Sequence, residues 1–314
     1  MPSARTFAIG AGRLAAPTTV ARLPRRPAAI STSTPGPVAD GQPSIRAAQR
    51  VNRAAGMLAL SVLLDSAIEH YRGSFKNPAM YTPLVLSTLS LAVSAHGTAD
   101  RRPGAHRARA SVYSAAAITG IVGTGFHLYN ILKRPGRFSW QNFFYGAPAG
   151  APIAILLSGA LGAAAEQVRN CGPGQEPRIF GVPAGRILAA AAGLGILGTS
   201  GEAGLLHFRG AYHNPAMFLP VTLPPIGAAL LLGNSIASVG RILRPAQHAL
   251  RLTALLGLVG AGFHIWGVQR NMGGWRNWRQ NLLSGPPIPA PPSFTGLALA
   301  GLAALGLLEN RPDA

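Results

Sequence analysis

Eight stretches of this chain each carry roughly twenty consecutive, mostly apolar residues, the length of helix that crosses a hydrocarbon core. They run Ala54–His70, Met80–His96, Ala110–Leu132, Ala147–Ala165, Ile187–Leu206, Met217–Val239, Ala249–Val268 and Ser293–Leu308. A soluble helical bundle needs a polar face on each helix. The stretch "LAAAAGLGILGTSGEAGLL" at Leu188–Leu206 has almost none. Strands are excluded because the apolar residues do not alternate with polar ones. Only 12% of the 314 residues are charged, about half the share of a soluble chain. The expectation is an all-α integral membrane protein with eight transmembrane helices.

Loop charges set the orientation. With eight spans both termini share one side, and that side holds fourteen arginines, among them Arg46, Arg50 and Arg53, the Arg101–Arg109 and Arg241–Arg251 loops, Arg169, Arg178 and Arg186. The opposite, outer side holds nine basic residues: Arg72, Lys76, Lys133, Arg134, Arg137, Arg209, Arg270, Arg276 and Arg279. The excess predicts cytoplasmic termini in a bacterial inner membrane. The net charge of +19 is then explained by anionic headgroups, not by nucleic acid. Residues 1–50 are expected to form a disordered, basic, Pro- and Ser-rich segment. They also fit an Arg-rich transit peptide, which would place the protein in an organellar membrane.

The chain repeats itself. "IEHYRGSFKNPAMYTP" at Ile68–Pro83 returns as "LLHFRGAYHNPAMFLP" at Leu205–Pro220, an offset of 137. The same offset aligns Asp65 with Glu202 and "GTGFHLYN" at Gly123–Asn130 with "GAGFHIWG" at Gly260–Gly267. After two inserted residues, Gln141-Asn142 meets Gln280-Asn281 and Gly146 meets Gly285. This pattern predicts two four-helix repeats, 51–170 and 185–310. An even number of spans per repeat leaves both in the same orientation, so the duplication is parallel.

Four histidines survive divergence between the halves: His70, His127, His207 and His264. His70 and His207 close the first and fifth spans. His127 and His264 lie a turn or more inside the third and seventh, so all four fall in one layer near the outer surface. Imidazole nitrogens ligate iron. The simplest scheme pairs His70 with His127 and His207 with His264 around two haem b groups, with Arg72 and Arg209 bonded to the propionates. Gly123, Gly125, Gly260 and Gly262 flank the inner histidines and admit either a flat macrocycle or a close helix.

The acids support a rival scheme. Carboxylates inside apolar spans mark function by default. Asp65 and Glu202 together with the four histidines form a candidate site for non-haem iron, zinc or copper, a proton relay to quinone, or the pathway of a transporter or channel. The plain alternative is structural: the acids cap a neighbouring helix and the histidines bond Ser, Thr or backbone carbonyls, leaving a structural membrane anchor.

The repeated outer turn has its own physics. Asn77 and Asn214 are the expected N-caps, Pro78 and Pro215 the first helical residues, and Gly73 and Gly210 the sharp turn. Met80 and Met217 are thioether candidates, with packing the alternative. The second outer loops, "RPGRFSWQNFFYG" and "MGGWRNWRQNLLSG", carry Trp140, Trp275 and Trp278 and suit a docking surface or quinone pocket. Cys171 is the one cysteine, which excludes a disulfide and a c-type haem attachment.

Eight apolar spans with two histidine pairs resemble, in their chemistry, the integral membrane b-type cytochrome subunits of dehydrogenases. The resemblance covers the spans only. It implies an electron-transfer subunit of an oxidoreductase complex, not a self-contained enzyme, passing electrons between a periplasmic redox partner and quinone through haem b.

Overall fold

In hydrocarbon a backbone N–H or C=O has no water to bond, so the apolar stretches satisfy themselves as helices. The computed structural model describes residues 43–309 apart from 147, 149, 173 and 237–242. The first half contains α1 (Pro43–Arg72), α2 (Thr82–Ala99), α3 (Arg107–Leu132), the short α4 (Trp140–Tyr145) and α5 (Gly150–Arg169). A hairpin of β1 (Arg178–Ile179) and β2 (Val182–Pro183), pairing Arg178 with Pro183, joins it to the second half. There follow α6 (Ala184–Arg209), α7 (Leu219–Ile236), α8 (Leu243–Arg270), the short α9 (Trp278–Ser284) and α10 (Pro292–Glu309).

Among the described residues eight helices are long and apolar enough to cross a membrane: all but α4 and α9. The chain is thus an all-helical, multi-pass membrane protein. Each expected stretch lies largely within one of these helices. The expected basic segment overlaps α1, which starts at Pro43, and otherwise lies outside the described residues. Asn77 and Asn214 cap single 3-10 turns, Pro78–Tyr81 and Pro215–Phe218, that lead into α2 and α7.

Four helices make the centre. α1 packs along α2, α5 and α10, and α10 packs along α1, α6 and α8; α5 leans on α3 and α1 and touches α6 less. Their shared core is small and apolar: Ala48, Val51, Ala55 and Leu58 of α1 meet Ala165 and Val168 of α5, Ala189, Ala192 and Ile196 of α6, and Ala298 and Leu305 of α10. Small residues let helix backbones close up where lipid supplies no hydrophobic drive. One close approach is at Gly120 of α3, where a Cβ would collide with the backbone nitrogen of Leu156 on α5. Gly257 of α8 meets Thr295 of α10 in the same way. The peripheral helices expose Val85, Leu89, Ile118, Val122, Leu255 and Phe263, the apolar coat expected against lipid.

Candidate functional site

The repeated peptide builds a self-contained turn. His70 ends α1 with its Nδ1 2.6 Å from the Met80 carbonyl oxygen, and His207 stands 2.8 Å from that of Met217. With Nδ1 protonated, each ring donates to a carbonyl on the element that follows the turn. The Phe75 N–H returns to the His70 carbonyl at 3.0 Å, and that of Tyr212 to His207 at 3.1 Å. The Phe75 ring stacks on Tyr81 at 4.4 Å, and Tyr212 on Phe218 at 4.5 Å. Asn77 Oδ1 accepts from the Ala79 N–H, and Asn214 Oδ1 from Ala216, each at 2.9 Å.

The sharp turn does not rest on the glycines as expected. The left-handed residues are Ser74 and Phe75 (φ 57° and 45°), matched by Ala211 and Tyr212 (55° and 46°). Such strain at non-glycine residues persists only where neighbours over-determine it. Gly73 and Gly210 instead make room for the Met80 and Met217 methyl groups, at 3.0 and 3.2 Å from where a Cβ would sit. The two thioethers are packing groups here.

The inner histidines follow the same rule. His127 Nδ1 bonds the Pro148 carbonyl, and His264 Nδ1 that of Pro287 at 2.6 Å. Pro148 and Pro287 correspond once the two-residue insertion is counted. Gly123 and Gly260 seat Pro152 and Pro291, 3.3 and 3.0 Å from a would-be Cβ, so these glycines close helices and leave no slot for a macrocycle. Gly125 and Gly262 meet nothing within 4 Å.

The haem and metal expectations are corrected by the grouping of the ligand types. Among the described residues no three His, Cys, Asp or Glu side chains gather where a metal ion could be held. His70 and His127 lie within electrostatic reach of each other, as do His207 and His264, and among the described residues no third His, Cys, Asp or Glu joins either pair. Neither the depression at Leu132–Arg137 nor the one bordered by Val259, Gly262, Phe263 and Trp266 is lined by a histidine, Asp65 or Glu202. The donor set therefore does not fit haem b, non-haem iron, zinc or copper. With it fall the electron-transfer role, the oxidoreductase-complex assignment and the terms haem, iron and metal-binding.

Arg72 and Arg209 are occupied as well. Arg72 pairs with Glu69 at 2.8 Å and donates to the Leu283 carbonyl of the other half. Arg209 lies over the rings of Phe144 and Tyr145, 5.6 and 5.3 Å from their centroids, again across the halves. Arg279 closes a third link by donating to the Tyr71 hydroxyl and covering its ring at 5.4 Å. Asn142 Nδ2 ties the Pro135 and Arg137 carbonyls at 2.9 and 2.8 Å, and Asn281 Nδ2 ties those of Met272 and Gly274 at 3.1 and 2.9 Å. The Glu202 carboxylate presses on Gly150, the first residue of α5, as an acid at a helix N-terminus does. Asp65 stands half-buried, within electrostatic reach of Glu69, Glu202 and Arg72.

A second polar cluster was not anticipated. Where α2 ends and α3 begins, Arg109 (1% exposed) grips Glu166 (2%) through Nε–Oε1 at 2.8 Å and Nη2–Oε2 at 3.0 Å. Its Nη1 reaches Asp100 at 2.7 Å. Arg169 donates to the carbonyls of Gly97, Asp100 and Arg102 at 2.6, 2.8 and 3.2 Å. The Tyr113 hydroxyl donates to Asn52 Oδ1 at 2.6 Å and sits 3.1 Å from Ser94 Oγ. The His106 N–H donates to Glu166 at 2.7 Å, and the His96 and His106 rings meet edge to face at 5.6 Å. The offset of 137 puts Ala189, Leu231, Ala246 and Leu250 where Asn52, Ser94, Arg109 and Tyr113 stand, and Leu305 replaces Glu166 after the insertion. The second half is dry where the first is ionic. The available signal was an acid and two arginines flanking apolar spans in a chain with only nine acids. Arg109 and Arg169 counted as orientation charges, and both are buried.

No known protein family, curated protein or solved structure matches the chain.

Proposed function

We propose that this chain is a membrane-embedded scaffold, a parallel duplication of a four-helix unit, that presents its outer face to an acidic partner protein. Residues 51–170 and 185–310 are the two units, and the termini face the cytoplasm of a bacterial cell whose inner membrane holds the spans. The outer face is then periplasmic.

The three links across the outer loops carry this reading: Arg72 to Leu283, Arg209 over Phe144 and Tyr145, and Arg279 to Tyr71. Arg72 and Arg209, retained by both halves, stitch one half to the other, and Arg279, which has no copy, adds a third link. Rigid loops lose little entropy on binding. What they display is aromatic and cationic. Trp140 is 70% exposed and Trp278 57%; Arg270 and Arg276 stand exposed near Trp278 in sequence, and Lys76 is exposed in the turn after α1. The acids near this side are engaged or withdrawn: Glu69 is paired with Arg72, Glu202 meets the Gly150 backbone, and Asp65 is half-buried. Aromatic and arginine anchors on a rigid base are the usual hot spots of protein interfaces, and the charge imbalance selects an acidic partner. The redox character and the quinone once expected of that partner lapse with the haem.

The experiment places a photo-crosslinking residue at Trp140 or Trp278 in intact cells. The expected product is one acidic periplasmic protein, captured less in high salt and lost when Lys76 and Arg276 are changed to Glu. Capture only from positions in the Arg101–Arg109 loop, or capture indifferent to the charge reversal, overturns the proposal.

A further inference from the structure

We propose that the loop Leu132–Arg137, at the outer end of α3, binds the phosphodiester headgroup of an anionic phospholipid. The loop borders an open depression of about 550 Å3 lined by Leu132, Lys133, Arg134, Pro135, Gly136 and Arg137. Three of those six residues are cationic and none is acidic. Below it, Ile118, Val122, Phe126 and Tyr129 form one exposed apolar stripe along α3, and Phe138 flanks it at 73% exposure. Acyl chains lying on that stripe bring their phosphate to the height of the three cations. A free phosphate ion has no use for the stripe.

The cations are held by the chain itself. Gly136 and Arg137 take left-handed φ values of 84° and 47°, and Asn142 grips the carbonyls on either side of Gly136. Lys133 Nζ is 5.5 Å from the Tyr129 ring centroid, and Arg134 Nη1 donates to the Tyr145 carbonyl at 3.2 Å. The second half supplies an internal control. Its loop Arg270–Gly274 is braced in the same way, by Asn281 on Met272 and Gly274, yet it retains one of the three cations. The brace belongs to the architecture, whereas the triple charge is particular to the first half and calls for a ligand of its own.

The test uses the full chain, delipidated in neutral detergent and titrated with phosphatidylglycerol, with bound lipid counted by native mass spectrometry. Each basic residue beside an anionic headgroup contributes a factor of about five, so Lys133→Gln, Arg134→Gln and Arg137→Gln together should weaken the tightest site on the order of a hundredfold. Arg270→Gln should leave that site unchanged. Asn271→Arg with Gly274→Arg, which copies the first-half charges onto the second brace, should create a second tight site. A parallel arm with glycerol phosphate and inorganic phosphate should show no comparable binding. Retention of lipid by the triple variant, failure of the transplanted charges to add a site, or equal binding of free phosphate overturns the proposal.

Discussion

His70 Nδ1 lies 2.6 Å from the carbonyl oxygen of Met80, and the pair returns as His207 and Met217 at 2.8 Å. The bond spans a turn in which two consecutive residues, Ser74 and Phe75, are left-handed. A part-buried hydrogen-bond donor aimed at a fixed carbonyl holds a turn that its own backbone preferences oppose. This explains why a chain keeps two copies of one peptide: the peptide is a joint between helices, and each half has one.

The crossing of α3 and α5 should be intolerant of a single methyl group. A Cβ at Gly120 collides with the Leu156 backbone, which cannot move without its helix. Gly120→Ala should cost about 1–3 kcal/mol, the usual range for overpacking. Gly125→Ala, which meets nothing within 4 Å, should be neutral or slightly stabilising. Unfolding midpoints of the two variants in the same detergent provide the comparison.

Removing one partner of the Arg109–Glu166 ion pair should be severe. Glu166→Gln leaves Arg109 buried against a weakened acceptor, and loss of a buried partner typically costs roughly 3–5 kcal/mol. Unfolding in denaturant reads the loss directly, and a variant as stable as the parent would show that the pair contributes nothing.

A size swap between the halves should be transferable. Asn52 fills the space beside Gly97, 2.7 Å from a would-be Cβ, whereas the second half has Ala189 and Asn234 at these positions. Gly97→Asn alone should destabilise the protein. Asn52→Ala added to it should recover part of that loss, giving a favourable coupling in a double-mutant cycle. Additive losses would mean that the two positions do not exchange volume.

Acid should loosen the place where α2 ends and α3 begins. Burial opposes the charge on Asp100, but bonds from the Arg109 side chain and the Arg102 backbone and side chain outweigh it and hold the carboxyl well below the usual carboxylate range. A carboxyl depressed in the folded state stabilises it fully above the unfolded value, about 3.9. That contribution is lost as pH falls through this value toward the folded one. Asp100→Asn should therefore be less stable than the parent at neutral pH and show a flatter decline below about pH 4. Parallel acid limbs in the two proteins would contradict this.

The eight apolar helices were legible because length and hydropathy alone determine them in a bilayer. The N-caps Asn77 and Asn214 were legible because capping is local chemistry. The use of the histidines was not. A histidine near a helix end inside an apolar stretch has the same sequence context whether its nitrogen meets iron or a carbonyl ten residues on. The cross-links of Arg72 and Arg209 were hidden for a related reason: the internal alignment shows which residues recur in both halves, not which half they touch. The Arg109–Glu166 cluster was read as loop charge because its members lie at span ends, and only packing shows that they are buried.

The central claim is that the four retained histidines act through Nδ1 on backbone carbonyls. It is tested most directly by comparing Asn and Gln at His70 and His207, because the Asn amide nitrogen can occupy the place of Nδ1 and the Gln nitrogen that of Nε2. The measurement is the thermal unfolding midpoint of the purified protein. The account predicts that His70→Asn and His207→Asn stay close to the parent. His70→Gln and His207→Gln should lose the equivalent of about 0.5–1.5 kcal/mol, the net worth of one hydrogen bond. Equal stability of all four variants, or better retention by Gln than by Asn, would contradict it.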